Sequence, residues 1–140
     1  MTPASLLRHL FGLTGAFFTS LALAGGTVVY HINDAAAARG LLGNVQNHLN
    51  ASPDIRIHVV SNGRGVDFLL RDALDAEGKA YAPAVQALAS RGVAFKVCRN
   101  TLKARSLTDE AVLTEASVVP AGVAEVARLQ LDEKAAYIKP

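Results

Sequence analysis

The chain holds one cysteine, and it stands where the local chemistry changes abruptly. In "FKVCRNTLKAR", residues 95–105, Cys98 closes an apolar run (Val93, Phe95, Val97) and is followed by Arg99, Asn100, Thr101, Lys103 and Arg105. A free thiol titrates near about 8.5, and a helix start or nearby cations lower that to roughly 3.5–7.5. The run before Cys98 reads as a strand, and Asn100 to Arg105 as a short helix. The sulfur therefore sits at a strand-to-helix junction, where backbone N–H groups favour an anion. Arg99, Lys103 and Arg64 add positive potential. Two readings stay open: a stabilised thiolate serving as nucleophile or persulfide carrier, and a buried, inert side chain, since free cysteine is among the most buried residue types.

Other polar or turn-forming residues fall at comparable places. His31, Asn33 and Asp34 follow one apolar run, Ser61, Asn62, Gly63, Arg64 and Gly65 follow a second, and Pro120, Ala121 and Gly122 a third. A glycine-rich turn before a helix can cradle an anion with Arg64 above it. Asn-Gly is equally an ordinary turn, and "SNGRG" does not match the phosphate-loop or dinucleotide patterns. Asp34 reads as a helix cap. His31 serves as base for the thiol if the first and third strands are neighbours, and otherwise is a polar strand-end residue. His9, His48 and His58 show no ligand spacing and there is no second cysteine, so no metal site is expected. No Ser-His-Asp order, carboxylate pair or cofactor fingerprint is present, and no cofactor is expected.

These residues need a scaffold. The chain has 140 residues, 51% of them hydrophobic and 19% charged, which suits one folded domain. The net charge of +2 is too small, and its basic residues too dispersed, for a nucleic-acid partner. "TVVYHI" (27–32) reads as a buried strand. A helix follows, with Asn33 or Asp34 as cap and Leu41, Leu42, Val45 and Leu49 on one face. "IRIHVVSNG" alternates strictly, which predicts a half-solvated strand at the sheet edge. "GRGVDFLLRDAL" reads as a helix, and "APAVQALASRG" as another with Pro83 in its first turn and Gly92 after its end. "VAFKV" is the third strand, "LTDEAVLTEA" a short helix and loop, and "SVVP" a brief fourth strand. "AGVAEVARLQLDE" is a helix with Val123, Val126, Ala127 and Leu131 inward, and "AAYIKP" supplies a fifth strand.

Strands alternating with helices predict an α/β three-layer sandwich with a mostly parallel five-stranded sheet, in the common flavodoxin-like order 2-1-3-4-5. Ligands of such sheets bind beyond the carboxyl ends of the strands. That edge would carry His31, Asn33, Asn62, Gly63, Arg64, Cys98, Arg99, Asn100 and Thr101.

Residues 1–26 differ from the rest, with no acidic residue and Arg8 as the one firm positive charge. "LFGLTGAFFTSLALA" (10–24) ends in Ala22-Leu23-Ala24. A positive start, an apolar segment of about 7–15 residues and a small-x-small ending describe an export signal. The run is shorter than the roughly 20 residues that span a bilayer. Residues 1–24 are thus expected to be a signal peptide, residues 27–140 the domain, and the location periplasmic or otherwise exported. Membrane contact would arise only through an uncleaved N-terminal segment.

"VVYHIND", "RGLLGNVQNHLN", "SNGRGVDFLL", "FKVCRNTLKAR", "VVPAGVAEVARLQ" and a terminal "YIKP", in that order, resemble the DsrE/DsrF-like (YchN-like) family, most closely its small exported single-domain members. The resemblance covers residues 27–140. It implies a parallel α/β sandwich assembling as a homotrimer or homohexamer. In the sulfur-relay members a cysteine at the end of strand three carries a persulfide between partner proteins, and Cys98 matches that position. The implied role is sulfur handling, with a donor or acceptor protein or a small sulfur anion as partner. The alternative is a non-catalytic oligomeric module that docks a small ligand or a protein at the same edge.

Overall fold

The computed structural model describes residues 25–140. The export segment expected at residues 1–24 lies outside the described residues.

Among the described residues, five strands form one wholly parallel sheet: β1 (Thr27–Ile32), β2 (Arg56–Ser61), β3 (Ala94–Cys98), β4 (Ala116–Val119) and β5 (Ala136–Ile138). Four α-helices of the same residues accompany them: α1 (Ala38–Ala51), α2 (Ala82–Ala89), α3 (Arg99–Ala104) and α4 (Gly122–Asp132). The α/β sandwich is the one expected. Its strand order, however, is β4-β3-β2-β1-β5, not 2-1-3-4-5.

Crossover handedness turns this order into helix placement. Each of the first four strands lies beside its predecessor, so the sheet grows in one direction. Right-handed crossovers then put α1, α2 and α3 on a single face. The chain finally returns past the starting strand to place β5 on the far side of β1. The same handedness run backwards puts α4 on the opposite face.

Burial follows this division. Val28, Tyr30, Ile32, Ile57, Val59, Phe95 and Val97 point to one side of the sheet. There they pack with Leu41, Leu42, Val45 and Leu49 of α1, Val85 and Leu88 of α2, and Leu102 of α3. The other face has a small cluster of Val29, Val60, Val126, Leu129 and Ala135. Because α4 covers it alone, that helix buries only a narrow stripe. Val123 and Leu131, expected inward, are 61% and 70% exposed, and Ala127 is exposed as well.

Strand β2 is central, not an edge, paired with both β1 and β3. Its alternation has two causes: Arg56, at the strand start, stays exposed and donates to Thr27 Oγ1 at 2.8 Å, whereas His58 meets an ionic network under α4. Lys96 pairs with Glu125, which Arg128 also holds at 2.8 Å. His58 Nε2 lies 3.8 Å from Glu133.

Two predicted helices are tighter turns. Residues Gly63–Leu69 and Asp109–Ala111 form 3-10 segments. In the first, Gly65 abuts the end of β1: a Cβ there would stand 2.3 Å from the Ile32 carbonyl oxygen. Glycine is needed for that approach and is also a poor α-helix former. Asp34 caps a 3-10 turn, Ala35–Ala37, its Oδ1 accepting from the Ala36 N–H at 3.1 Å; α1 continues from that turn. Pro83 sits in the first turn of α2, as expected.

Candidate functional site

The strand order fixes where a crevice must open. The connection leaving β3 goes to one face and the one leaving β4 goes to the other, and these strands are neighbours. Backbones that part in this way leave a gap at the carboxyl edge, the usual place for a ligand in an open parallel sheet.

A cleft of about 550 Å³ occupies this position. The loop after β2 contributes Asn62, Gly63 and Arg64. From β3 and α3 come Cys98, Asn100, Thr101, Ala104 and Arg105. The start of α4 adds Ala121, Gly122 and Val123. Cys98 lies at the floor, 6% exposed. Gly122 permits the helix start to come this close, since a Cβ there would lie 3.3 Å from the Cβ atoms of both Asn62 and Cys98.

The sulfur is surrounded by donors. Burial pushes the Cys98 thiol up, but the N–H groups of Gly122, Thr101 and Asn100 and the Thr101 hydroxyl outweigh it and hold the thiol below its ordinary value. Cys98 makes no full capping hydrogen bond to the turn that follows, so the turn's N–H groups act as close dipoles. The Thr101 hydroxyl is itself positioned, accepting the Gly63 N–H at 3.0 Å. Gly63 reaches that geometry with a φ of 53°, in the left-handed region open to glycine. Arg64 and Arg105 supply the cationic rim, Arg105 paired with Asp67. Among the described residues lining the cleft, none carries a carboxylate or an imidazole.

Six residues expected at the sheet edge therefore meet here: Asn62, Gly63, Arg64, Cys98, Asn100 and Thr101. Three do not. Arg99 turns away into a bidentate pair with Asp109, at 2.9 and 2.8 Å. Asn33 accepts from Lys139 Nζ at 2.9 Å, outside the cleft lining. His31 is not beside Cys98, because β2 separates β1 from β3. It contacts Asn62 and Tyr137 instead. Lys103 likewise faces a separate depression with Arg99 and Asp109.

Gly122 is a strand-end residue by sequence but carries no expected site role, and Tyr137 is not expected at the site at all. A glycine right after "VVPA" at the head of an amphipathic helix signals a close approach. A lone tyrosine on a three-residue strand gives no such signal.

A family model described as the DsrE/DsrF-like family matches residues 16–140. The chain belongs to this family. No curated protein matches it. Among solved structures, it is similar to MTH1491, a protein of unknown function from Methanobacterium thermoautotrophicum. Their identity is 34% with a TM-score of 0.73, over 82% of this chain and 99% of that one. The YchN protein of E. coli has the same fold at 12% identity and a TM-score of 0.64, over 83% of this chain and 99% of its own. The resemblance read from the sequence motifs is thus a family relationship.

Proposed function

We propose that this DsrE/DsrF-like protein carries sulfane sulfur on Cys98. The observation that carries the reading is the thiol at the floor of a cleft that favours its anion and in which, among the described residues, no acid or base lines the wall. A thiolate held by donors attacks without passing a proton to a neighbour. With no acid to protonate it, the leaving group must depart as a stable anion. Sulfane sulfur meets both conditions. The Cys98 thiolate attacks the terminal sulfur of a polysulfide dianion, and a new S–S bond forms as the next one breaks. The electron pair leaves on the shortened polysulfide dianion, and Cys98 becomes a persulfide anion. No oxidant and no proton transfer are required. Esters and amides, whose leaving groups need protonation, fit this cleft poorly.

Incubation with polysulfide or thiosulfate, followed by intact-mass and peptide mass spectrometry, tests the proposal. The expected product is one added sulfur atom on Cys98, removable by dithiothreitol and absent from Cys98→Ser. Failure of the wild type to gain that mass refutes it.

A second reading draws on the 6% exposure of Cys98: a non-catalytic module that docks a small ligand or protein in the cleft. It predicts that Cys98→Ser leaves ligand capture intact while Asn62, Arg64 or Asn100 substitutions weaken it.

The proposed setting is the periplasm or another exported location, supported by the signal-like pattern of residues 1–24. A homotrimer or homohexamer is part of the same proposal. The single-helix cover of one sheet face, with Val123, Leu131 and Tyr137 exposed, supports it.

A further inference from the structure

Beside the cleft runs a hydrogen-bonded chain that the sulfur chemistry above does not use. Tyr137 on β5 lies with its hydroxyl 3.0 Å from His31 Nδ1 on β1. His31 Nε2 is 3.1 Å from Asn62 Oδ1, at the end of β2. The chain crosses three adjacent strands, β5, β1 and β2, and ends on a residue that lines the cleft.

The proton positions follow from the acceptors. Asn62 Oδ1 has only lone pairs to offer, so His31 Nε2 carries the hydrogen. Burial and the nearby Lys139 keep the imidazole toward its neutral form, with the Asn62 contact opposing them. Nδ1 of the neutral ring then accepts from the Tyr137 hydroxyl. With Oδ1 engaged, the amide is locked about its last bond, and its Nδ2 hydrogens remain. Among the described residues, Nδ2 has no protein partner, yet it is not a buried unsatisfied atom. It is therefore accessible to solvent, on a residue that lines the cleft.

The donors that lower the Cys98 thiol belong to Gly122, Thr101 and Asn100, while the Asn62 amide is held by His31. A cleft-lining donor not committed to Sγ is free to address what is attached to it. Resting on the sulfane-sulfur reading, we infer that His31 is a positioning residue: it turns the Asn62 amide so that Nδ2 donates to the outer, negatively charged sulfur of the Cys98 adduct. The persulfide anion is then recognised at both atoms, Sγ by the turn of α3 and the start of α4, and the terminal sulfur by Asn62.

Two rates measured on the full chain separate this role from a structural one. One is sulfur loading from polysulfide, read by mass spectrometry. The other is alkylation of Cys98 by iodoacetamide, which builds no anion beyond Sγ. His31→Phe should slow loading about tenfold, the scale of one hydrogen bond to an anion, while alkylation changes less than about twofold. His31→Gln places an N–H near the Nε2 position and should restore most of the loading rate. Asn62→Asp keeps the acceptor for His31 but exchanges the cleft donor for a carboxylate, so loading should fall at least as far. If His31→Phe does not fold, as judged by circular dichroism, the Asn62→Asp and His31→Gln pair decides. Loading at the wild-type rate in Asn62→Asp overturns the inference. So does equal slowing of loading and alkylation in His31→Phe without rescue by glutamine. A wild-type protein that takes up no sulfur would instead overturn the sulfur-carrier reading, and this inference with it.

Discussion

Thr101→Val keeps the side chain's shape and removes one oxygen, which in this fold does two things. It accepts the Gly63 N–H at 3.0 Å, and its hydroxyl helps to hold the Cys98 anion. The effect on stability is small, because the Gly63 contact is exposed and water can replace the lost acceptor. A cost of about 1 kcal/mol or less is expected, the net worth of an ordinary hydrogen bond. The effect on the thiol is larger. A hydrogen bond to a charged group contributes about 1.5–3 kcal/mol, and sulfur as a diffuse acceptor belongs at the low end. At about 1.4 kcal/mol per pKa unit, the thiol should titrate about one unit higher. Well below that pKa, about a tenfold smaller fraction is thiolate, and alkylation slows accordingly. The chain has a single cysteine, so the pH profile of iodoacetamide labelling reports on Cys98 without background. Thr101→Ser retains the hydroxyl and should follow the wild type. An unchanged midpoint in Thr101→Val, with a normal unfolding curve, would remove the hydroxyl from the account and leave the backbone donors alone.

Two stability predictions test the frame around the site. Gly65→Ala forces a Cβ to within 2.3 Å of the Ile32 carbonyl oxygen and 2.8 Å of the Asn33 Cα. Both are backbone atoms that cannot rotate aside, so urea unfolding should show a loss of about 3 kcal/mol; a loss below about 1 kcal/mol would mean that the loop simply moves. Glu125 is held well below the usual carboxylate value of 4.5, at about 2, first by Arg128, against the opposing effect of burial, and then by Lys96. Its folded pKa is depressed, so its contribution to stability is present above about pH 4.5 and is lost as pH falls toward 2. Arg128 is 43% exposed, which tempers the pair, whereas Lys96, at 14%, would be left nearly buried without its partner. Glu125→Gln should therefore cost about 2 kcal/mol at pH 7 and flatten the acid limb of the stability profile; parallel profiles would refute the assignment.

Much of this architecture is legible in short windows of sequence. The buried run "TVVYHI" is a strand with the expected bounds, the run at Cys98 is a strand one residue later than "VAFKV", and Asp34 caps the turn it precedes. Local periodicity records which residues face an apolar surface, and a strand-to-helix junction is written in consecutive residues. The same windows misplace β2. Arg56 and His58 alternate alike with apolar residues, yet Arg56 reaches solvent while His58 meets an ionic network under a helix. Periodicity reports polarity, not what supplies it.

Sequence by itself determined that a lone cysteine would stand at the carboxyl end of a parallel strand, followed by asparagine and threonine, with "SNGRG" at another such end. Tertiary structure decided which of these ends adjoin. The strand order depends on the direction in which successive right-handed crossovers accumulate, a property of the whole chain. One return crossover carried α4 to the opposite face, opened the crevice beside β3 and brought the Gly122 N–H to the sulfur. The one-directional growth of the first four strands set β2 between His31 and Cys98, so that the histidine meets the site through Asn62.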